Sequence, residues 1–517
     1  MQKRKKIVVV GGGTAGWLAA LYLNKFFHQF DVTVIESSSI GILGAGEGST
    51  PHIIPFLDSL GITLTDVVKH AGATMKNGIK FTNWNNDGSY FFHSFQDLSE
   101  VSLFTHCKWN GYPAIAIDAV SNNNSLDSVN FSSLLSASNK VKYIKLNDSD
   151  LKHNGINHYQ KHGPSSIHFN ARKMASFLKQ IGVSRGIEVL DCVVTDINLD
   201  ENGFVNSLNL TSQETSEQFK EDCDFVIDCS GFHRLVIDKV YNSPWKSYSE
   251  LLPVNRAIPF FIDRSIGEDT PPYTESIAMK YGWAWKIPVE GRYGCGYVFD
   301  SSLISDQQAK DEIKELVGVD VDFPTVFNFS AGYFEKPWIK NCLALGLASG
   351  FIEPLEATSI WTTMVSIKWF GDHIDGLTNK SQFSIDSFNK KFCLMNDDVF
   401  NFVYFHYLTK RNDTEFWNKF KNSDKHPEPV KRYLNYSCEW IPWLDNFKFE
   451  DFFGAESYLQ VAYGIGHISP QVCSNVINQI NVDYNLLKVR KESLNQNLNI
   501  DPFESHDSFL NNLRSYQ

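Results

Sequence analysis

A chain of 517 residues can bury a large core and hold more than one structural unit. With 43% hydrophobic and 21% charged residues it reads as a globular enzyme rather than a disordered chain, and a net charge of −12 speaks against a general nucleic-acid binder, which needs a basic face. The nine cysteines are odd in number and scattered, and none stands at zinc spacing; they fit free thiols in a reducing cytoplasm, with no metal site expected.

The start, MQKRKKIVVVGGG, has a basic head, but its apolar run before the glycines is too short for a secretory signal. No apolar run reaches the ~18 residues that would suggest a membrane span. Ile7 to Val10 form a β-branched strand, and Gly11, Gly13 and Gly16 follow at GxGxxG spacing before a helix. Gly11 allows the tight turn, Gly13 lets backbone approach a pyrophosphate, and Gly16 lets helix and strand pack closely. The helix N-terminus then aims its free N–H groups at the phosphates. A second strand, DVTVIES, ends at Glu36, whose carboxylate can accept from a ribose hydroxyl. This predicts a dinucleotide site without choosing between FAD and NAD.

The Ser- and Asn-rich stretch across 120–160 predicts a loop, a surface insertion or a lid. IHFNARKMASFLKQIGVSRGIEVL reads as a helix leading into a strand. VVTDINLDENGFVNSLNL reads as two strands joined around Glu201–Gly203. CDFVIDCSGFHRLVI is an apolar strand ending in Asp228, followed by a Ser230–Gly231 turn that suits a second approach to one long cofactor. Only one GxGxxG is visible, which hints that reduced flavin comes from elsewhere. Residues 253–300 are strand-rich, and from about residue 362 the pattern is mainly helical. The expected fold class is α/β: a nucleotide-binding Rossmann-like domain with an inserted β-sheet, plus a helical C-terminal region. The division expected is 1–361 for the nucleotide-binding unit with its inserted sheet, and 362–517 for the mainly helical region.

GLASGFIEPLEATSI, at 346–360, sets Glu353 and Glu356 around Pro354 and Leu355. Carboxylates among apolar residues are costly to bury without a partner. Either they are the acids of a helix's first turn, with Pro354 as an early helical residue, or a carboxylate is used there.

Several segments together, GGGTAGW, GAGEGSTP, ATMKNGIKF, GWAWKIP, GLASGFIEPLEATSI and RNDTEFW, resemble the flavin-dependent halogenases of the tryptophan-halogenase type. The similarity runs in the same order over nearly the whole chain. It implies an enzyme that uses reduced FAD from a separate flavin reductase, O2 and a halide (chloride, bromide or iodide). Hypohalous acid forms and passes to a lysine, which either becomes a haloamine or holds the acid by a hydrogen bond. An electron-rich aromatic carbon then takes the halogen. The resemblance places FAD against Gly11, Gly13, Thr14, Ala15, Gly16, Glu36, Ser37, Ile40, Ala45, Gly48 and Leu347.

Lys76 matches the family lysine, with Lys80 as its rival. Glu356 matches the glutamate beside that lysine, able to polarise the hypohalous acid or take the ring proton. Thr358 and Ser359 match the positions whose backbone N–H groups hold the halide. Ser359 stands where the family often has glycine, and Ala357 where it commonly has serine. Glu353 is read as structural. Trp283 and Trp285, the tryptophans of WxWxIP, alternate on a strand and share one face. In the family they separate flavin from substrate. His106 is a candidate for the aromatic pocket.

Tyr458 and Tyr463 stand apart with no glutamate closely following, unlike tryptophan-specific members, which argues against free tryptophan as substrate. Small phenols, indoles and related heteroaromatics are the expected partners, with no nucleic acid and no membrane; a homo-oligomer is left open. The alternatives are a flavin-dependent aromatic monooxygenase, which needs neither Lys76 nor Glu356, and a non-catalytic flavin-binding protein.

Overall fold

The β-branched run Ile7–Val10 lies inside an eight-stranded sheet, as its lack of polar alternation requires. The computed structural model describes residues 4–515 except 42–43, 45, 96–111, 147–158, 320, 422, 442–451 and most of 481–497. The chain divides into two compact units, each built from three segments.

The first unit comprises Met1–Ala73, Phe169–Leu252 and Asn328–Asp397. Its sheet runs in the order Gln218–Asp222, Val205–Ser212, Glu188–Leu199, Phe30–Glu36, Lys5–Val10, Phe225–Asp228, Cys342–Ala344, Trp338–Ile339. The five strands from Glu188–Leu199 to Cys342–Ala344 are parallel, with Val8 opposite Val226 and Thr33. The two strands predicted around Glu201–Gly203 pair antiparallel with each other, and Val205–Ser212 with Gln218–Asp222 extends one edge of the sheet. The Thr14–Phe26 helix follows the first strand. The Ala171–Ser184 helix starts at Asn170, whose side chain accepts from the Lys173 N–H. Val8, Val10, Ile35, Leu208, Leu210 and Val226 belong to one core cluster.

The second unit comprises Thr74–His168, Pro253–Phe327 and Asp398–Gln517. Its larger sheet carries, in order, Arg256–Asp263, Arg292–Phe299, Gly282–Val289, Thr274–Ala278, Gly78–Thr82 and Tyr90–Ser94. Only Thr274–Ala278 and Gly78–Thr82 pair in parallel; the other neighbours are antiparallel. This is the inserted sheet expected across 253–300. A smaller sheet pairs Lys140–Lys145 with Tyr159–Lys161 and with Phe503–Ser505. Beyond residue 406 the described elements are helices, apart from that last short strand. Among the described residues no helix is long and apolar enough to cross a membrane, and every cysteine is free.

Two expectations need correction. The Ser- and Asn-rich stretch is not a plain loop. It holds the end of the Tyr112–Ser121 helix, a second helix at Phe131–Ala137 and the Lys140–Lys145 strand. Its polar residues act as local partners: Asn130 caps the Phe131–Ala137 helix, and Ser136 Oγ donates to the Ser132 carbonyl. Ser132, Ser133 and Ser136 are buried. The second correction is that Pro354 does not begin a helix. The helix starts at Thr358, after both glutamates, so neither acid lies in its first turn.

Candidate active site

In the first unit the glycine turn is defined by close approaches. Gly11 has φ +119°, and its N–H donates to the Ile35 carbonyl at 2.8 Å. A Cβ on Gly11 would sit 2.2 Å from the Cys229 carbonyl oxygen, and one on Gly16 would sit 2.0 Å from that of Gly11. At Gly13 an added Cβ would meet nothing within 4 Å. Gly13 gives the Thr14–Phe26 helix no side-chain cap, so its leading N–H groups stay available. Thr14 Oγ1 is buried with no hydrogen-bond partner among the described residues. Open space, free N–H groups and an orphaned hydroxyl fit the pyrophosphate of FAD.

Glu36 ends its strand as expected, yet its carboxylate already accepts from Trp17 Nε1 at 3.3 Å and from the Lys179 ammonium. A carboxylate has capacity for further donors. Ser37 Oγ lies 2.8 Å from Ser39 Oγ, and Ile40 is exposed. Gly48 is buried in a short strand, whereas Ala45 falls outside the described residues. The Gly346–Ala348 turn abuts the head of the first helix: a Cβ on Gly346 would sit 2.9 Å from that of Ala15. Leu347 is half-buried between buried Gly346 and Ala348.

Asp228 caps its own turn. Its oxygens accept from the Ser230 N–H and hydroxyl and from the Val236 and Ile237 N–H groups, at 2.6–3.1 Å. Its turn therefore contributes backbone near the glycines while its carboxylate is committed. Glu47 was passed over in the sequence; burial pushes its carboxyl up to about 7.

Glu353 and Glu356 are both buried. Between Glu356 and the Thr358–Asp372 helix, Ala357 is left-handed at φ 54°, ψ 38°, and its N–H donates to the Pro354 carbonyl at 3.0 Å. The helix has no side-chain cap, so Thr358 and Ser359 present first-turn N–H groups at a sharp bend. Such a bend makes an anion-binding concavity. The hydroxyls of Thr362 and Thr363 turn back to the Ser359 carbonyl and leave those N–H groups alone.

In the second unit Lys76 ends the short Thr74–Lys76 strand, fully buried. Its Nζ lies 5.3 Å from the Phe95 ring centroid. Phe95 is anchored through its backbone. Its N–H donates to the Asn77 carbonyl at 2.8 Å, and its carbonyl accepts from Ser132 Oγ at 2.6 Å and from the Lys142 ammonium. Lys80 is spent differently: it is only half-buried, pairs with Glu275 at 3.4 Å and lies over the Tyr90 ring at 4.6 Å. Burial, with the Lys76 charge beside it, holds His168 well below the ordinary histidine range.

Trp283 and Trp285 share a face, with ring centroids 6.2 Å apart. Trp285 spreads over Gly296 on the neighbouring strand, where a Cβ would sit 2.1 Å from its ring. Trp283 is buried, and its Nε1 has no hydrogen-bond partner among the described residues. Tyr458 packs against Phe402 and Tyr433 rather than standing out as half of a clamp. His106 lies outside the described residues. His506 accepts from the Met75 N–H of the same strand as Lys76 at 2.8 Å. Phe95, His168 and His506 were not singled out in the sequence, because an isolated Phe or His carries no signal of the lysine strand it meets.

The family model for tryptophan halogenase matches residues 6–481. The chain is 30% identical over 486 residues to tryptophan 6-halogenase SttH of Streptomyces toxytricini, covering 90% of each protein. It is 31% identical over 432 residues to 7-chloro-L-tryptophan 6-halogenase KtzR of Kutzneria, covering 80% of this chain and 81% of that one. Among solved structures, the flavin-dependent halogenase BrvH of Brevundimonas superposes with a TM-score of 0.81 at 26% identity, over 99% of both chains.

Proposed function

Because the chain belongs to the tryptophan halogenase family of flavin-dependent halogenases, we propose that it halogenates a small electron-rich aromatic, a phenol, an indole or a related heteroaromatic, with Lys76 and Glu356 as its catalytic residues. Reduced FAD and O2, when bound, supply the two-electron oxidant that turns halide into hypohalous acid. A separate flavin reductase provides the reduced FAD, and the cytoplasm is the compartment we assign.

The residues divide the work. The N–H groups at Gly13 and Thr14 and the Thr14 hydroxyl hold the pyrophosphate, while the Thr358 and Ser359 N–H groups hold the halide. Trp283 and Trp285 keep the aromatic substrate from the flavin, and 362–517 supplies the substrate side. Lys76 holds the electrophilic halogen and Glu356 accepts the proton that the ring carbon gives up.

The observation that carries this reading is Lys76 itself. A fully buried lysine is rare unless it has a task or a partner charge, because desolvation disfavours the ammonium. Its neighbour Lys80, by contrast, is only half-buried and pairs with Glu275 at 3.4 Å. Tyr458 in the aromatic core, and the absence of a closely following glutamate, support a substrate other than free tryptophan.

The test is incubation with reduced FAD, O2 and bromide against a panel of phenols and indoles, read by mass spectrometry. Bromine isotope pairs are expected. A product heavier by one oxygen would instead mark a monooxygenase, and unchanged substrate across the panel a non-catalytic flavin protein.

A further inference from the structure

The strand that ends in Lys76 is only three residues long, and one of its edges is paired: Thr74, Met75 and Lys76 face His168, Ile167 and Ser166. The Met75 N–H does not enter that ladder. It donates to His506 Nε2 at 2.8 Å, and His506 is the first residue of the His506–Ser515 helix, more than 400 positions away in sequence. The other ring nitrogen, Nδ1, lies 2.8 Å from the Thr270 carbonyl oxygen. A carbonyl can only accept, so Nδ1 carries the proton and Nε2 presents a lone pair to Met75. The ring is fully buried and must remain neutral to keep both bonds.

The next residue, Asp507, fixes the same segment: its carboxylate accepts the Thr270 N–H at 2.8 Å and the Thr270 hydroxyl. On Thr74, Oγ1 donates to the Pro288 carbonyl at 2.7 Å and lies 3.3 Å from His168 Nδ1. His168 Nε2 in turn meets Thr274 Oγ1 at 2.9 Å. Both residues leading into Lys76 are thus held by groups from distant segments.

We propose that His506 is a positioning residue for halogen transfer: its Nε2 takes the place of a missing strand, holds the Met75 backbone, and so fixes where the Lys76 amine stands. This rests on the reading of Lys76 as the delivering lysine. An amine displaced by ~1 Å can cost on the order of 10²-fold in transfer, although the steps that form hypohalous acid do not use it. The signature is therefore uncoupling: acid still forms but is released instead of reaching the ring.

The experiment compares His506→Gln with His506→Asn. Glutamine can place its side-chain oxygen near the site of Nε2 and keep an acceptor for Met75. Asparagine keeps a group near Nδ1, toward Thr270, and leaves Met75 without an acceptor. The readout is the ratio of ring-halogenated product to hypohalous acid captured by a β-diketone trap, with the thermal melt recorded for each protein. His506→Asn is expected to lose about tenfold or more in this ratio, and His506→Gln to stay within about threefold of the parent. If His506 merely anchors its helix, the order reverses or both variants keep the parental ratio, and the proposal is overturned. Should His506→Asn fail to fold, His506→Gln decides alone: a tenfold loss of coupling in that variant overturns the proposal. Lys76→Ala run in parallel separates the two claims. If it stays coupled, the Lys76 reading fails and takes this one with it. If it uncouples while His506→Asn does not, only the role of His506 falls.

Discussion

Two lysines four positions apart have different surroundings, and each environment sets what its amine can do. Lys80 faces Glu275 and an exposed tyrosine, an arrangement that stabilises an ammonium. Lys76 is fully buried near the Phe95 ring. Lys76→Ala should abolish ring halogenation while flavin oxidation continues, and Lys80→Ala should lose much less. Stopped-flow flavin spectra paired with product mass spectrometry check both, and full halogenation by Lys76→Ala would reassign the lysine. Glu356→Gln should slow transfer by ~10²-fold or more, the usual loss when a positioned acid/base group goes. The glycines separate in the same way. Gly13→Ala has room for its Cβ and an extended backbone, so the melt should hold while flavin affinity falls. Gly16→Ala would drive a Cβ against the Gly11 carbonyl and should lower the melting temperature itself. Calorimetric titration with FAD and a thermal melt on each variant would show whether these costs divide as stated.

At the scale of an element, the start of the Thr358–Asp372 helix is the informative case. Ala357 adopts a left-handed conformation that costs a non-glycine residue about 1–2 kcal/mol, and it offers no capping side chain. A helix start that forgoes a cap retains free donors. Thr358→Ala should therefore change halide dependence little, since the contact assigned is through backbone. Ser359→Pro suits a first helical turn but deletes one donor, so it should raise the halide concentration needed for half-maximal rate. Rates measured against bromide concentration give the comparison; equal curves for both variants would count against a backbone halide site. The Ser- and Asn-rich stretch teaches the opposite lesson about elements. Its composition suggested a loop, yet Asn130 caps a helix, because these residues satisfy backbone groups at an element's end as readily as they break one.

For the whole molecule, the buried histidines tie stability to pH. Burial pushes His506 down to about 4 from an ordinary 6.5; the Thr270 carbonyl and Asp507 work against that shift, and Arg264 and Arg514 add to it. Between those values the unfolded chain takes up a proton that the folded one refuses, so stability rises with pH through this window and is lost on acidification. His168 acts in the same direction. The melting temperature should fall between pH 7 and pH 5, and more steeply in the parent than in His506→Gln, which has nothing to titrate there. Parallel slopes in the two proteins would show that His506 does not carry this linkage.

Local pattern determined much of this protein. The parallel strand, glycine turn and helix of the first unit were legible because GxGxxG and a β-branched run impose their geometry within twenty residues. The inserted sheet and the shared face of Trp283 and Trp285 followed from strand alternation. The resemblance to the halogenases singled out Lys76, Glu356, Thr358 and Ser359 by their motifs. Tertiary structure decided what no short window contains: that Asp228 spends its carboxylate on its own turn, that Glu36 is already shared by Trp17 and Lys179, and that Lys80 belongs to Glu275. It also decided that a histidine at position 506 completes a strand at position 75. Hydrogen-bond satisfaction is a condition on the folded whole. A buried N–H must find an acceptor wherever the chain brings one, and that acceptor can come from any distance along the sequence.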